Sequence, residues 1–431
     1  MGQAIRVGFR ALCAGLLAFA TSTFAQTTEG WPHIDDWPQF LHGAAHQGRQ
    51  PYEFQLSRWT VPKLQLLWTG PTGTRSNGGP VVAGGRVFVQ NDDGRVFAFA
   101  VDCADNGGDC APLWQSQPPF YGMGTQWGVP AVADGVVYYY ADRLYAYDAN
   151  CGTGGATCSP LWQAWLSHIF YATSPTVKNG VVYVAGTRLY AFDAHCNSGG
   201  GTCTPLWQSS NTSTYGMGSP TIAGDEIFVL SAEGDFYAHP LHCPTAECAP
   251  TWHAKTDVGF FTWGPNSSAA SADGQVYVPG LNGWLYAFPT HCATGGNLCE
   301  PLWAARTGGY VMGSPAVAGD TVYVGAYDGL LYAFPTHCSR DCRPRWTGRT
   351  ASSISRSSPA IANGVVYISS WRGSVYAFAA HCGQGGADCP PLWVGDAGAF
   401  NDSAPAVSRG VLYTGSLDGR IHAFGLKRQR P

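Results

Sequence analysis

The residues in this sequence whose types and spacing could do chemistry begin with cysteine. Of 15 cysteines, Cys13 stands alone near the start, and the other 14 form seven close pairs: Cys103/Cys110, Cys151/Cys158, Cys196/Cys203, Cys243/Cys248, Cys292/Cys299, Cys338/Cys342 and Cys382/Cys389. Five pairs enclose six residues, commonly glycine-rich, as in the GTGGAT between Cys151 and Cys158. Glycine lets so short a loop turn back on itself. An even set of this kind in an exported chain reads as disulfides. Metal binding is the competing chemistry, because His195, His242, His291, His337 and His381 each directly precede a cysteine. Zinc cysteines, however, usually have about two to four residues between them, and a closed site needs about four ligands. Only Cys243/Cys248 and Cys338/Cys342 have that spacing, and Asp102 and Asn150 replace the histidine in the first two pairs. Disulfides are the reading carried forward, with no metal site.

A second set lies in variable stretches between repeated segments: Arg75 and Asn77, Gln126 and Trp127, Tyr171, Tyr215 with Met217, Trp263, Tyr310 with Met312, Arg356, and Asn401 with Asp402. Aromatics, amides and arginines brought to one mouth suit a polar or anionic ligand, a sugar or a peptide, since the planar guanidinium fork matches carboxylates. The same residues could instead simply plug the centre of a ring. The YGMG at 121–124 recurs at 215–218, with YVMG close by at 310–313, and recurrence favours a structural part. Asn91–Asp93, Glu233, Trp371 and Arg372 fall in turns and are secondary candidates for a partner surface. Carboxylates for hydrolysis are few, chiefly Asp257, Asp396 and Asp402, and the sequence has no nucleophile elbow, H-E-x-x-H or C-x-x-C-H.

What must position these residues is a repeat. Residues 314–346 read SPAVAGDTVYVGAYDGLLYAFPTHCSRDCRPRW, and close relatives start at Ser174 and Ser358. Each copy has an S-P-A-V-like strand, an Asn/Asp-Gly-type turn, a V-Y-V-like strand, a second turn, an L-Y-A-F-like strand, the cysteine loop and a P-L-W strand. Alternating apolar runs bounded by Gly and Asp are hairpin signals, and four strands every 40–50 residues or so make a propeller blade. The L-Y-A-F element occurs eight times, from residues 96–99 to 421–424. The outer tryptophan also occurs eight times: Trp68, Trp114, Trp162, Trp207, Trp252, Trp303, Trp346 and Trp393. The two series are out of phase, because Trp68 precedes any complete blade and no tryptophan follows the last L-Y-A-F. The simplest solution is an all-β, eight-bladed propeller of four-stranded antiparallel blades, in which the strand of Trp68 completes the last blade. An open stack would leave two aggregation-prone edges. The tryptophans are expected to glue blade to blade, and each disulfide to lock the third strand to the fourth.

Residues 1–25 read as a secretory signal: Arg6 and Arg10, an apolar run over 11–20, and a small-residue cleavage site before Gln26. The apolar run is too short to span a bilayer, although a retained N-terminal anchor is the alternative. Residues 26–62 form an N-terminal lead-in, 63–426 the propeller and 427–431 a basic tail. Only 12% of residues are charged and the net charge is −4, with no basic cluster before the tail, so nucleic acid is not an expected partner.

The repeats resemble those of the PQQ-like superfamily, which includes quinoprotein alcohol dehydrogenases and outer-membrane assembly lipoproteins. The S-P-A-V, V-Y-V-G, D-G-x-L-Y-A-F and tryptophan elements carry the likeness. Residues 36–40 (DWPQF), followed by His42 and Gly48-Arg49, look like the segment that leads into such propellers. The family's D-x-x-T-G turn survives only as Asp148-Ala149 and Asp193-Ala194, the rest being replaced by the cysteine loop. The resemblance implies either a non-catalytic scaffold binding a protein partner or small polar ligand at its channel mouth, or a PQQ-dependent dehydrogenase with Ca²⁺. The dehydrogenases use a ring of two adjacent cysteines and a Glu–Asn–Asp calcium set; no two cysteines are adjacent here and no such set can be assigned. The expectation is therefore a monomeric scaffold, periplasmic or secreted, with no cofactor and no membrane span.

Overall fold

The computed structural model describes residues 32–76, 78–119, 128–167, 173–196, 199–256, 267–292, 298–338 and 342–427. They form eight small sheets, and the inner strands lie side by side around a closed circle. Blade 1 consists of Val81–Ala83, Arg86–Gln90, Val96–Ala100 and Trp114–Ser116, each antiparallel to the next. Six further blades repeat this order, down to blade 7 with Ala360–Ala362, Val365–Ser369, Ser374–Ala379 and Trp393–Asp396. Blade 8 has inner strands Ala406–Ser408, Val411–Ser416 and Arg420–Gly425. Its outer strand is Gln65–Pro71, from the other end of the chain, with Trp68 opposite Ala423.

Sequence chemistry explains the regularity. The turn between the first two strands needs positive φ at both central residues, and Asp134-Gly135, Asn179-Gly180 and Asn363-Gly364 supply it; this is the tight hairpin that matches strand twist. Both faces of each blade are covered by neighbours, so Val96, Phe97, Ala98 and Phe99 are all buried. One apolar cluster joins Phe88, Val96 and Trp114 of blade 1 to Val137, Tyr139 and Tyr147 of blade 2. The other seams repeat the arrangement.

The tryptophans do bridge blades, by a specific bond. The indole N–H of Trp114 donates to the Ala149 carbonyl of blade 2 at 3.0 Å, and Trp162, Trp252, Trp303 and Trp346 donate likewise to Ala194, Thr290, Thr336 and Ala380. Each acceptor lies just beyond the next blade's third strand, where its cysteine loop starts.

All seven pairs are disulfides. Their loops do more than tie the third strand to the fourth within one blade. Ala156–Cys158, in the blade 2 loop, adds a fifth, parallel strand to the outer strand of blade 1. Gly108–Asp109 does the same for blade 8, Thr202–Cys203 for blade 2, Glu247–Cys248 for blade 3 and Ala387–Cys389 for blade 6. Five of the seven stapled loops therefore add a strand to the blade before, and the other two reach it through Cys299 N, which donates to His253 O, and the bridge between Ala305 and Cys342.

Candidate functional site

The two faces of the ring differ because different parts of the chain reach them. Residues 35–48 circle the channel near the first-to-second-strand turns. The inner strands of blades 1 to 7 donate in order: Val82 N to Trp37 O, Val132 N to Pro38 O, Val177 N to Gln39 Oε1, Ile222 N to Ala44 O, Ser271 N to Ala45 O, Val317 N to Gln47 O and Ile361 N to Gly48 O. Blade 8 completes the circle through Ser408 Oγ to Asp35 O. Asp36 is fully buried; it accepts from Gly84 N at 2.9 Å and pairs with Arg409 at 3.2 Å. His46 lies buried among hydroxyls, with Nδ1 at 2.9 Å from Ser268 Oγ and Nε2 at 3.1 Å from Thr176 Oγ1. Burial holds its pKa down to about 3, so the ring is neutral.

Beside this cap runs a belt made by the serines of the S-P elements. The backbone N–H of Val129 donates to Ser174 Oγ, that of Ser174 to Ser219 Oγ, that of Ser268 to Ser314 Oγ and that of Ser314 to Ser358 Oγ. The repeated serine thus spends its hydroxyl on the neighbouring blade.

Among the described residues, the variable loops and the second-to-third-strand turns share the opposite face. Of the candidates there, Asn77, Gln126, Trp127, Tyr171 and Trp263 lie outside the described residues, as does Asp257. The others divide into surface and buried groups. Arg75 is exposed. Tyr310 and Tyr327 are each 52% exposed, with ring centroids 6.5 Å apart. Trp371 and Phe400, on adjacent loops, pair at 5.2 Å and are also exposed, next to exposed Arg372. Tyr215 N lies 3.3 Å from Glu233 Oε1. Burial raises the Glu233 carboxyl, but the Ser213 hydroxyl and Thr214 N–H bonded to it bring it below the usual range. Glu233 therefore organises its own loop.

Met217, Asn401 and Asp402 are buried rather than at loop tips. The Asn401 amide is engaged at both ends, donating to Thr414 Oγ1 at 3.0 Å and accepting from Ser403 N at 2.9 Å. Asn91 likewise donates to Thr72 O and accepts from Arg95 N. Asp402 is different. Burial pushes its carboxyl up to about 6 against the opposing pull of Arg356, whose Nη1 is 3.9 Å from Oδ2. Its Oδ1 has no hydrogen-bond partner among the described residues. Two loops before S-P-like elements thus set an acid beside a base in the interior, with one carboxylate oxygen buried and unbonded. Asp396, the third acid, caps its own turn by accepting from Gly398 N. His46 belongs to no motif, and its role appears only once four distant segments meet.

Two cavities lie on the capped face: one of about 460 Å³ beside Gln55, Asp102 and Arg409, and one of about 350 Å³ beside Gln50, Glu53 and Tyr323. Neither touches a residue of the loop face.

Residues 101–239 match the family model described as outer membrane protein assembly factor BamB. No curated protein matches the chain. Solved structures do. BamB from Moraxella catarrhalis is 16% identical, with 85% of this chain and 99% of that one covered and a TM-score of 0.60. A quinohemoprotein alcohol dehydrogenase from Comamonas testosteroni is 14% identical, with 92% and 81% covered and a TM-score of 0.66. The computationally designed Ika8 protein is 12% identical, with 84% and 99% covered and a TM-score of 0.63. Likeness at these identities speaks to the fold, which a designed protein and an enzyme share.

Proposed function

We propose that this chain, a disulfide-stapled propeller built from PQQ-like repeats, is an exported, non-catalytic scaffold that takes a protein partner or polar ligand at its loop-face channel mouth. The observation that carries this reading is the difference between the faces. One end of the channel is filled by residues 35–48, bonded into all eight blades. The other presents loops that differ from blade to blade, with the exposed pairs Tyr310/Tyr327 and Trp371/Phe400. Exposed aromatics next to arginines are the residue types that anchor partners. The seven staples suit an oxidising compartment, and a relative of this fold carries the description of an assembly factor.

The residues present do not fit a calcium-bound quinone. The ring of adjacent cysteines is missing. Among the described residues no group of three or more Asp, Glu, His or Cys side chains is arranged to hold a metal ion, and the Asn401 amide beside Asp402 is already used at both ends. No step is derived through that group.

The test is a photo-crosslinking residue placed at Trp371 or Phe400, with Leu206 on the rim as the control, in cells that export the full chain. A discrete adduct from the loop-face positions alone supports the reading. Equal labelling at Leu206 contradicts it, as does quinone- and Ca²⁺-dependent dye reduction with alcohols or sugars by the purified protein.

A further inference from the structure

The outer edges of the blades are not equivalent. The residue following each outer tryptophan turns its backbone outward, toward the next blade's cysteine loop. Gln163 N donates to Gly201 O and Gln208 N to Ala246 O, while Thr69 O accepts from Cys110 N and His253 O from Cys299 N. In blade 5 the loop reaches the edge through the bridge between Ala305 and Cys342. In blade 7 the aligned residue is Val394, and the sheet ends at its strand, Trp393–Asp396. Blade 8 takes its outer strand, Gln65–Pro71, from the other end of the chain, so its third and fourth strands are not joined by a cysteine loop. Among the described residues no segment bonds to this edge.

The consequences are visible in burial. Val394 is 49% exposed, whereas the residues aligned with it are half-buried or buried. Trp393 is half-buried, while the other seven outer tryptophans are 0 to 4% exposed. The position also carries a bulky aliphatic residue here, where six of the other blades carry polar Thr, Gln or His and blade 5 the small Ala304. The short helix Val61–Lys63 lies against the start of the strand, and Leu64 O accepts from Trp393 Nε1 at 3.1 Å. Exposed Arg58 and Lys63 make that end basic, and Lys427 follows the strand that pairs with Gln65.

We infer that the outer edge of blade 7 is a second docking site, for an extended segment of a partner protein that adds as a fifth, parallel strand. The five fifth strands that the chain builds for itself fix the geometry, two or three residues held by backbone bonds. Strand addition of this kind gets affinity from main-chain bonds and specificity from side chains. Val394 calls for a β-branched residue beside it. Arg58, Lys63 and Lys427 call for acidic residues before the strand, since a parallel segment starts beside Trp393. An open apolar edge is otherwise a liability that folds cover or charge.

The test uses the full mature protein and a fluorescein-labelled peptide, Asp-Glu-Gly-Thr-Val-Thr-Gly, followed by polarisation. Saturable binding is expected, weakened about tenfold or more by Val394→Pro, which removes the outward N–H at an edge where proline is tolerated. Replacing Asp-Glu by Lys-Lys in the peptide should weaken binding several-fold. Far-UV spectra and unchanged melting establish that the variant folds, and Val394→Lys gives a second disruption that keeps the N–H. No saturable binding, or binding unaffected by both variants, overturns the assignment. A concentration-dependent dimer abolished by Val394→Pro overturns it too, by giving the edge to a second copy of this chain.

Discussion

The Trp393 indole N–H donates to the carbonyl of Leu64, 329 residues earlier in the chain, at 3.1 Å. In six other blades the same bond runs forward to the start of the next blade's cysteine loop. Leu64 thus stands in for the loop lost where the ring is joined.

That substitution predicts unequal tryptophans. Trp114→Phe leaves the buried Ala149 carbonyl without its donor and should cost about 1–3 kcal/mol. Trp393→Phe, at a half-buried position, should cost less. Denaturant unfolding at constant slope measures both, and a larger loss at Trp393 would contradict the account.

The latching role of the loops predicts that staples act between blades. Replacing Cys103/Cys110 by serine should cost about 2–4 kcal/mol. It should also loosen the Gly108–Asp109 strand against Gln65–Pro71, seen as faster amide exchange at positions 69 and 110. Thiol titration of the unreduced mature protein should find no free cysteine.

Buried histidines set the acid limit. Burial lowers the pKa of His46 to about 3 and those of His42 and His239 to about 4, against 6.5 when unfolded. Between these values the unfolded chain binds more protons, so stability is fully present above 6.5 and is lost as pH falls toward the folded values. Melting temperature should drop from about pH 7 to about pH 4. His46→Gln should flatten the profile, and an unchanged slope would show that His46 is not the sensor.

Asp402 has the opposite sign. Its pKa is raised from 3.8 to about 6, so the folded state binds the extra proton and stability is lost as pH rises through that window. Asp402→Asn should therefore raise the melting temperature at about pH 7.5, and the gain should fade by about pH 4. A destabilised variant at the higher pH would mean that the Arg356 contact outweighs burial.

Much of this molecule follows from residue spacing. The eight L-Y-A-F elements and eight tryptophans out of phase fix the number of blades and tell which strand is borrowed, because strand pattern and hairpin chemistry are local. The cysteine pairs are legible for the same reason, since a loop of a few residues can close only on itself. The tertiary structure decided what those loops touch. The parallel latch onto the previous blade, the circuit of residues 35–48 through every inner strand, and His46 among Thr176, Thr221 and Ser268 all join segments far apart in the chain. It also separated Asn401, whose amide is bonded at both ends, from Asp402 beside it, which buries an unbonded oxygen. Sequence lists both as polar loop residues; which one has its polar atoms satisfied depends on what surrounds it, and that is set only when the ring closes.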